Sequence, residues 1–486
     1  MTASKNSISA QDLTALGLPR RPEITPLALK LANTFLAAGL EDREKVLERL
    51  RSLALDPAAI QADDHFRPLA QVLLTIEPEG LTWRERKQPA PWRQWGETGL
   101  EAAAVAQMAQ ACRLPLAVRG ALLPDAHLGY GLPIGGVLAV RNAVIPYAVG
   151  VDIACRMRLT VLDWPAAHLT GRRDDLRTAL ENETRFGLGA AFDLRERRSH
   201  EVLDEDWSIS PVTSRLKDRA WKQLGTSGGG NHFVEFGELH LSAPELGLPA
   251  GVYLALLSHS GSRGSGEEVA EHYSRLAMDL RPWLPREIKH LAWLEEDSQA
   301  GREYWAAMEL MGRYAAANHE LIHRHILAAL GAEALAAVEN HHNFAWREEH
   351  EGQEVIVHRK GATPAGRGQL GLIPGSMASP GFVVRGRGCP EALLSCSHGA
   401  GRRLSRAAAF KTLDRETVTA YLVERGVELI SGGLDEAPMA YKDIEEVMAA
   451  QAGLVDIVAR FEPRLVKMAP GNDEADPKKR FKRKRK

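Results

Sequence analysis

VYLALLSHSGSRGSGEEVAEHYSRLA, residues 252–277, holds in one stretch the three textures from which the chain is built. Val252-Tyr253-Leu254-Ala255-Leu256 is a short β-like run of bulky apolar residues. Ser258 to Gly264 is a serine- and glycine-rich loop carrying His259, and from about residue 265 alanine, leucine and glutamate turn the pattern helical. The β-like texture recurs at Val137–Val140 and Val355–Val357, again between glycine-rich loops. The helical texture continues to about residue 338 and returns, as one or two helices, from Tyr441 to Val466. Strands and helices in blocks, without strict βαβ alternation, predict an α+β protein: a mixed β-sheet or sandwich core with surrounding helices.

Toward the N-terminus, Leu27, Leu31 and Phe35 recur at helical spacing, Gly39 interrupts, and Val46, Leu47, Leu50 and Ala54 resume the pattern. The expected organisation is a small helical appendage over 1–90, a large domain over 91–470 and a disordered basic tail over 471–486. The last nine residues, KKRFKRKRK, hold eight cations. Elsewhere the charge is balanced: 61 basic and 63 acidic residues give a net charge of −2, so nucleic-acid binding has to come from a local patch. A chain of 486 residues with 44% hydrophobic content can bury one large core or two modest ones, which excludes a disorder-dominated protein. The four cysteines, Cys112, Cys155, Cys389 and Cys396, lack the close spacing of a disulfide framework or zinc ribbon. No apolar run approaches the roughly 18 residues of a membrane span, and the N-terminus lacks a charged-then-apolar signal pattern. A soluble cytoplasmic protein is expected.

Six short segments carry residue types that packing does not need. They are PDAHLGYGLPIGG (124–136), VGVDIACRM (149–157), LGTSGGGNHFVEF (224–236), SHSGSRG (258–264), HHN (341–343) and SHGAGR (397–402). Glycine beside a potential ligand or nucleophile lets a phosphate or metal approach the backbone closely. Asp152 and Cys155 pair a hard oxygen with a soft thiolate three residues apart, although a lone cysteine such as Cys155 is more commonly a small buried hydrophobe. His232, His259 and His342 lie outside any helical apolar stripe. Three imidazoles, a thiolate and a carboxylate suffice for one or two divalent ions of intermediate softness, such as manganese or zinc. His398 differs: His-Gly-Ala-Gly-Arg is expected to open directly into a helix from Arg403, offering free N–H groups and the Arg402 fork to a phosphate facing the imidazole. A histidine there can act as a nucleophile on a nucleotide phosphorus, or simply cap the helix.

From about Trp95 to Lys467 these segments, in order, resemble the RtcB family of manganese- and GTP-dependent RNA ligases. The most specific strings are GGGNHF, HSGSRG, IPGSM, HGAGR and the late APMAYKDI (437–444). The resemblance implies that Asp152, Cys155, His232, His259 and His342 hold two manganese ions with Cys155 bridging, and that His398 takes GMP from GTP. It implies a nucleotide bordered by Asn231, Phe233, Glu235, Ser376, Gly399, Ala400, Gly401, Arg402 and Tyr441, with Lys467 at the guanine. The implied reaction joins a 3′-phosphate or 2′,3′-cyclic phosphate end of RNA to a 5′-hydroxyl end, in tRNA splicing or RNA repair, by a monomer served by an archease-type activator. Two further readings stay open: GMP capping of 3′-phosphate ends without sealing, and a non-catalytic RNA-binding protein. The chain departs from the family's Asp-Ile-Gly-Cys-Gly-Met, reading Asp152-Ile153-Ala154-Cys155-Arg156-Met157, which adds a methyl group and a long cation next to the metal-type residues.

Overall fold

Two β-sheets share the centre of the molecule, and the chain crosses from one to the other at His342. The computed structural model describes residues 7–22, 24–55, 57, 63, 65–75, 86–96, 99–187 and 189–471; the basic run expected to be a disordered tail falls outside them, except for Gly471. The larger sheet has eight strands. Seven follow the order Leu370–Ile373, Gly381–Gly386, Val455–Met468, Phe233–Leu241, Gly251–Ser260, Arg156–Pro165 and Ala334–His341, all antiparallel. Glu428–Ser431 joins Val455–Met468 in parallel. The sheet curls until its outer strands meet: Asn340 Oδ1 accepts from Leu372 N at 2.7 Å. The smaller sheet runs Trp92–Gln94, Ala117–His127, Ile134–Val140, Gln353–Lys360 and Asn343–His350.

The apolar sets of the strands dictate these pairings. Leu254, Leu256, Val234 and Phe236 are fully buried with Ile322 and Ile326 of the helix Gln299–Leu330, which lies across the larger sheet. On the opposite face Leu159, Val161, Ala255, Leu257 and Phe461 form a second cluster. A sheet with both faces covered reads as near-continuous apolar runs, the texture of Val252 to Leu256. The α+β expectation therefore holds, and all three β-like runs are strands.

The structure corrects three local expectations. The helix expected to reach residue 338 ends at Leu330, capped by Gly331 at φ +64°, and Ala334–His341 is a strand. Its alanines favour helix, but pairing of Ala337 with Thr160 and Val338 with Leu159 decides the matter. Within 441–466 only Ile444–Ala450 is helical; Val455–Met468 is a 14-residue strand at the centre of the larger sheet. The third correction concerns the segment after His398. The helix begins only at Arg406, with Ser405 as its N-cap accepting from Ala408 N, so the glycine loop does not open onto free helical N–H groups. His398 caps no helix.

Among the described residues the N-terminal segment holds four helices, Ala10–Ala15, Thr25–Ala37, Arg43–Leu55 and Arg67–Thr75, around a cluster of their own that includes Leu13, Ile24, Ala28, Val46, Leu50, Phe66 and Leu69. Ion pairs from Arg20 to Asp279 (3.8 Å) and Arg21 to Glu295 (3.5 Å) tie it to the body. Among the described residues no helix is long and apolar enough to cross a membrane.

Candidate active site

At the shared edge of the two sheets, strand ends deliver five metal-type residues to one point. Asp152 and Cys155 precede the strand Arg156–Pro165, His232 precedes Phe233–Leu241, and His259 stands one residue before the end of Gly251–Ser260. His342 links the sheets, its N–H donating to Cys155 O at 3.0 Å. Register holds them together, because His259 is paired with Phe233 on one side and Met157 on the other. Adjacent strands are about 4.8 Å apart, the separation at which side chains can share an ion.

Two triads result, Asp152–Cys155–His232 and Cys155–His259–His342, each with its ligand atoms within 4.8 Å of one another and with Cys155 common to both. Cys155 Sγ is 3.4 Å from His232 Nε2 and 3.1 Å from His259 Nε2, while His259 Nε2 is 3.2 Å from His342 Nε2. Carbonyl oxygens fix the tautomers. His232 Nδ1 donates to Ser227 O at 2.8 Å and His259 Nδ1 to Asn231 O at 3.1 Å, so each ring, when neutral, turns an Nε2 lone pair inward. His232 Nε2 then faces Asp152 Oδ2 at 2.9 Å, a contact that needs a proton or a cation between the two atoms. Such a cluster of inward lone pairs is unfavourable unless a cation or protons fill it, and its mixed O, N and S donors suit a divalent transition ion.

The electrostatics agree with that reading. Burial, and then the charge of Asp152, push the Cys155 thiol well above its ordinary range, so the thiolate requires a cation at this position. Burial, and then the charge of His232, push His259 down to about 3, which keeps its ring a neutral ligand. For Asp152 burial acts upward, but the hydrogen bond and charge of His232 outweigh it and hold the carboxyl below its usual value. Gly261 is required here by close approach: a Cβ at this position would lie 2.1 Å from Asp152 Oδ1.

His398 stands against the second triad, its ring centroid 5.0 Å from that of His342. Asp125, fully buried, accepts from His398 Nδ1 at 2.7 Å and from His398 N at 3.0 Å through the same oxygen, Oδ2. The Nδ1 proton is thereby committed, and the Nε2 lone pair is the free one. Lys442 Nζ brackets Asp125 by donating to Pro124 O at 3.0 Å and Ala126 O at 2.8 Å. Gly401, at φ +72°, closes the loop over Asp125; a Cβ there would meet Asp125 O at 2.0 Å.

A cavity of about 440 Å³ opens over both features, within the range of ligand clefts. Asp152, Cys155, His259, His342, His398, Asn231, Phe233, Ser376, Gly399, Ala400, Gly401, Arg402 and Tyr441 all line it. Ser376 Oγ bonds Ser379 Oγ at 2.8 Å. The Arg402 guanidinium already serves Glu436 (3.2 Å), Leu404 O (3.1 Å), Asp435 O (2.6 Å) and Tyr441 OH (3.3 Å), so its fork is committed to the cavity wall. Glu235 is buried on its strand, paired with Leu257 and Val466, and burial pushes its carboxyl well up. Lys467 turns away from the cavity: its neighbours Val466 and Met468 line the wall, whereas its Nζ donates to Leu180 O at 2.9 Å and Glu181 O at 3.1 Å. Arg156 also points elsewhere, to Gly312 O at 3.4 Å and His341 Nδ1 at 3.2 Å, and Ala154 takes the left-handed conformation at φ +56°.

The sequence profile described as tRNA-splicing ligase RtcB matches residues 107–468. The chain belongs to the RtcB family. It is 34% identical over 403 residues to the RNA-splicing ligase RtcB1 of Escherichia coli, covering 76% of this chain and 95% of that protein. It is 32% identical over 427 residues to the RNA-splicing ligase RtcB of Mycobacterium tuberculosis, covering 74% and 98%. Against the tRNA-splicing ligase RtcB of Thermococcus kodakarensis the identity is 30% over 416 residues, covering 70% and 86%.

Three residues of the candidate site carry no signal of their own in the sequence. Asp125 lies inside PDAHLGYGLPIGG, yet nothing local says that it meets a histidine 273 residues later. Arg263, in HSGSRG, is buried beneath the three-glycine run, with Nε donating to Thr226 Oγ1 at 3.2 Å and Nη1 lying 3.5 Å from His232 Nδ1. Lys360 lines the cavity from the second sheet, and burial pushes its ammonium down to about 7.

Proposed function

We propose that this RtcB protein is a GTP- and manganese-dependent ligase that joins RNA ends through a guanylylated His398. The observation that carries this reading is the juxtaposition of two donor triads sharing Cys155 with an imidazole whose Nδ1 proton is committed to Asp125 and whose Nε2 is free. A binding protein has no use for a nucleophile beside a metal pair.

Asp152, Cys155 and His232 would hold one manganese ion, and Cys155, His259 and His342 the other. When bound, the pair supplies Lewis-acid polarisation of phosphoryl oxygens and stabilises attacking and leaving oxygens together. The residues of the chain do the rest. His398 Nε2 attacks the α-phosphorus of GTP, forming a P–N bond as the bond to the bridging oxygen breaks and pyrophosphate leaves. The ring keeps its Nδ1 proton and becomes cationic, and the buried Asp125 carboxylate stabilises that charge. An oxygen of the RNA 3′-phosphate next takes the GMP, which frees His398. The 5′-hydroxyl of the second strand finally attacks the activated 3′-phosphorus and expels GMP, so the poor leaving group has been exchanged for a nucleotide. Asn231, Phe233, Ser376, the 399–401 loop and Tyr441 surround the space for the nucleotide.

Radiolabelled GTP with manganese tests the first step: an acid-labile protein–GMP adduct is expected from the wild type and none from His398→Ala. An adduct that persists in His398→Ala refutes the nucleophile. Adding RNA with 3′-phosphate and 5′-hydroxyl ends then separates sealed from merely capped product, and capped product alone refutes the joining step.

A further inference from the structure

The strand that carries Asp125, Ala117–His127, runs on into a turn with Tyr130 at its tip. Three large side chains face solvent at this side of the cavity: Tyr130 is 70% exposed, Leu128 53% and Val151 44%, and Val151 also lines the cavity wall. An exposed apolar group of this size beside a cavity marks a binding surface more often than a scattered surface residue does.

The backbone beneath Tyr130 is fixed on both sides. Gln107 grips Gly129 with its side-chain amide, Nε2 donating to Gly129 O at 2.6 Å and Oε1 accepting from Gly129 N at 3.1 Å. On the other side Lys360 Nζ donates to Tyr130 O and, at 2.9 Å, to Tyr147 O. Lys360 itself lines the cavity, so one hydrogen bond separates the tip of the turn from the space above His398 and the metal-type residues. Among the described residues the only aromatic neighbour of the Tyr130 ring is His290, at 5.6 Å and nearly perpendicular. The phenol is thus an aromatic plate on a rigid mount, next to a site read as handling phosphorylated strand ends. A ring so mounted loses little conformational freedom when a flat ligand settles on it.

We infer that Tyr130 is a stacking platform for an unpaired nucleobase at the end of an RNA strand whose terminal phosphate or hydroxyl enters the cavity. The inference rests on the ligase reading above and adds to it the group that positions the strand. Base–aromatic stacking tolerates every base, which suits an enzyme that must grip ends of any sequence. Leu128, two residues before Tyr130 in the chain, and Val151, on the cavity wall, add exposed apolar surface that the sugar edge of the nucleotide can cover.

The test uses the full chain, its Tyr130→Ala and Tyr130→Phe variants, and fluorescent single-stranded RNAs carrying either a 3′-phosphate or a 5′-hydroxyl end. Each RNA is prepared with a normal or an abasic terminal nucleotide, and binding is read by anisotropy. Tyr130→Ala is expected to weaken binding of at least one strand by about tenfold, in the range that loss of one stacked base gives, while Tyr130→Phe binds like the wild type. The abasic end is expected to weaken wild-type binding by the same factor and to leave Tyr130→Ala no further loss; the strand that behaves so is the one that stacks. Because the ring is exposed, the melting temperature of Tyr130→Ala should match the wild type, which separates lost stacking from lost fold. Wild type that binds the RNAs with Tyr130→Ala within about twofold of it, or Tyr130→Phe as weak as Tyr130→Ala, overturns the platform alone. Wild type that binds neither strand overturns the ligase reading and the platform with it.

Discussion

Asp125→Asn is the sharpest probe of the site, since it preserves size and removes only charge. In the wild type one carboxylate oxygen accepts from both His398 Nδ1 and His398 N, at 2.7 and 3.0 Å, inside a position with no solvent exposure. An asparagine that turns its carbonyl to these donors keeps both bonds but loses the anion; turned the other way, it sets its NH₂ against two donors. The expected loss lies in the step that makes His398 cationic. A hydrogen bond to a charged group is worth about 1.5–3 kcal/mol, against about 1 kcal/mol for a neutral one. Removing the charge-dependent part, about 0.5–2 kcal/mol, and up to the whole bond of about 3 kcal/mol if the amide settles wrongly, slows transfer of GMP to His398 by about 2- to 150-fold. Single-turnover labelling with radioactive GTP and manganese reads that rate directly. Thermal melting beside it guards against a global effect, since the substitution is buried. A variant that melts like the wild type and labels at the wild-type rate would refute the argument that Asp125 sets the tautomer and stabilises the charged ring.

Three further outcomes follow from the geometry. Cys155→Ala removes the one ligand common to both triads, so metal content measured on the purified protein should fall from two ions to fewer than one per chain, with loss of the GMP adduct; retention of two ions would refute the bridge. Lys360 sets a pH dependence: its folded value is pushed down to about 7, the unfolded chain holds that proton to about 10.4, and stability therefore rises with pH across the interval between them. In metal-free protein, denaturant unfolding at about pH 7 and pH 9 should show a gain of about 2 kcal/mol that Lys360→Met lacks, and equal gains in both proteins would exclude a buried amine as the source. Removing 472–486, which holds the eight terminal cations, should flatten the salt dependence of RNA binding while GMP transfer continues, and an unchanged slope would assign the tail no contact with phosphate.

Much of the site was legible because its chemistry is written in short strings. His232, His259, His342 and His398 each stand beside glycine or polar neighbours where no apolar stripe explains them, and the fold sets the last three on the cavity wall and His232 against Asp152 and Cys155. Asp125 and Arg263 were not legible as site residues, because their roles arise from partners far away in sequence and the chain records no pairing. The fold shows the same division. Continuous apolar runs such as Val252 to Leu256 revealed their strands, whereas Ala334–His341 and Val455–Met468 did not. An alanine-rich segment and a charged one, with Asp456, Arg460, Glu462 and Arg464 along it, become strands through the neighbours they pair with, a decision taken at the level of the sheet. Lys467 shows how alternation places a residue: its two neighbours line the cavity, and its own Nζ donates to Leu180 O in the helix behind.

The placement of His259 one residue from the end of its strand ties assembly to function in a way that composition alone would not. Ser258 lies on the opposite face, bonded to His319 and His323 of the long helix, and Ser260 bonds back to Ser227 O. A slip of this strand by a single position would hand the cavity a serine and bury the imidazole in the layer behind. Correct alignment of the central strands is thus a precondition of the site: only a chain in which they have locked in this register brings the two donor triads together around Cys155.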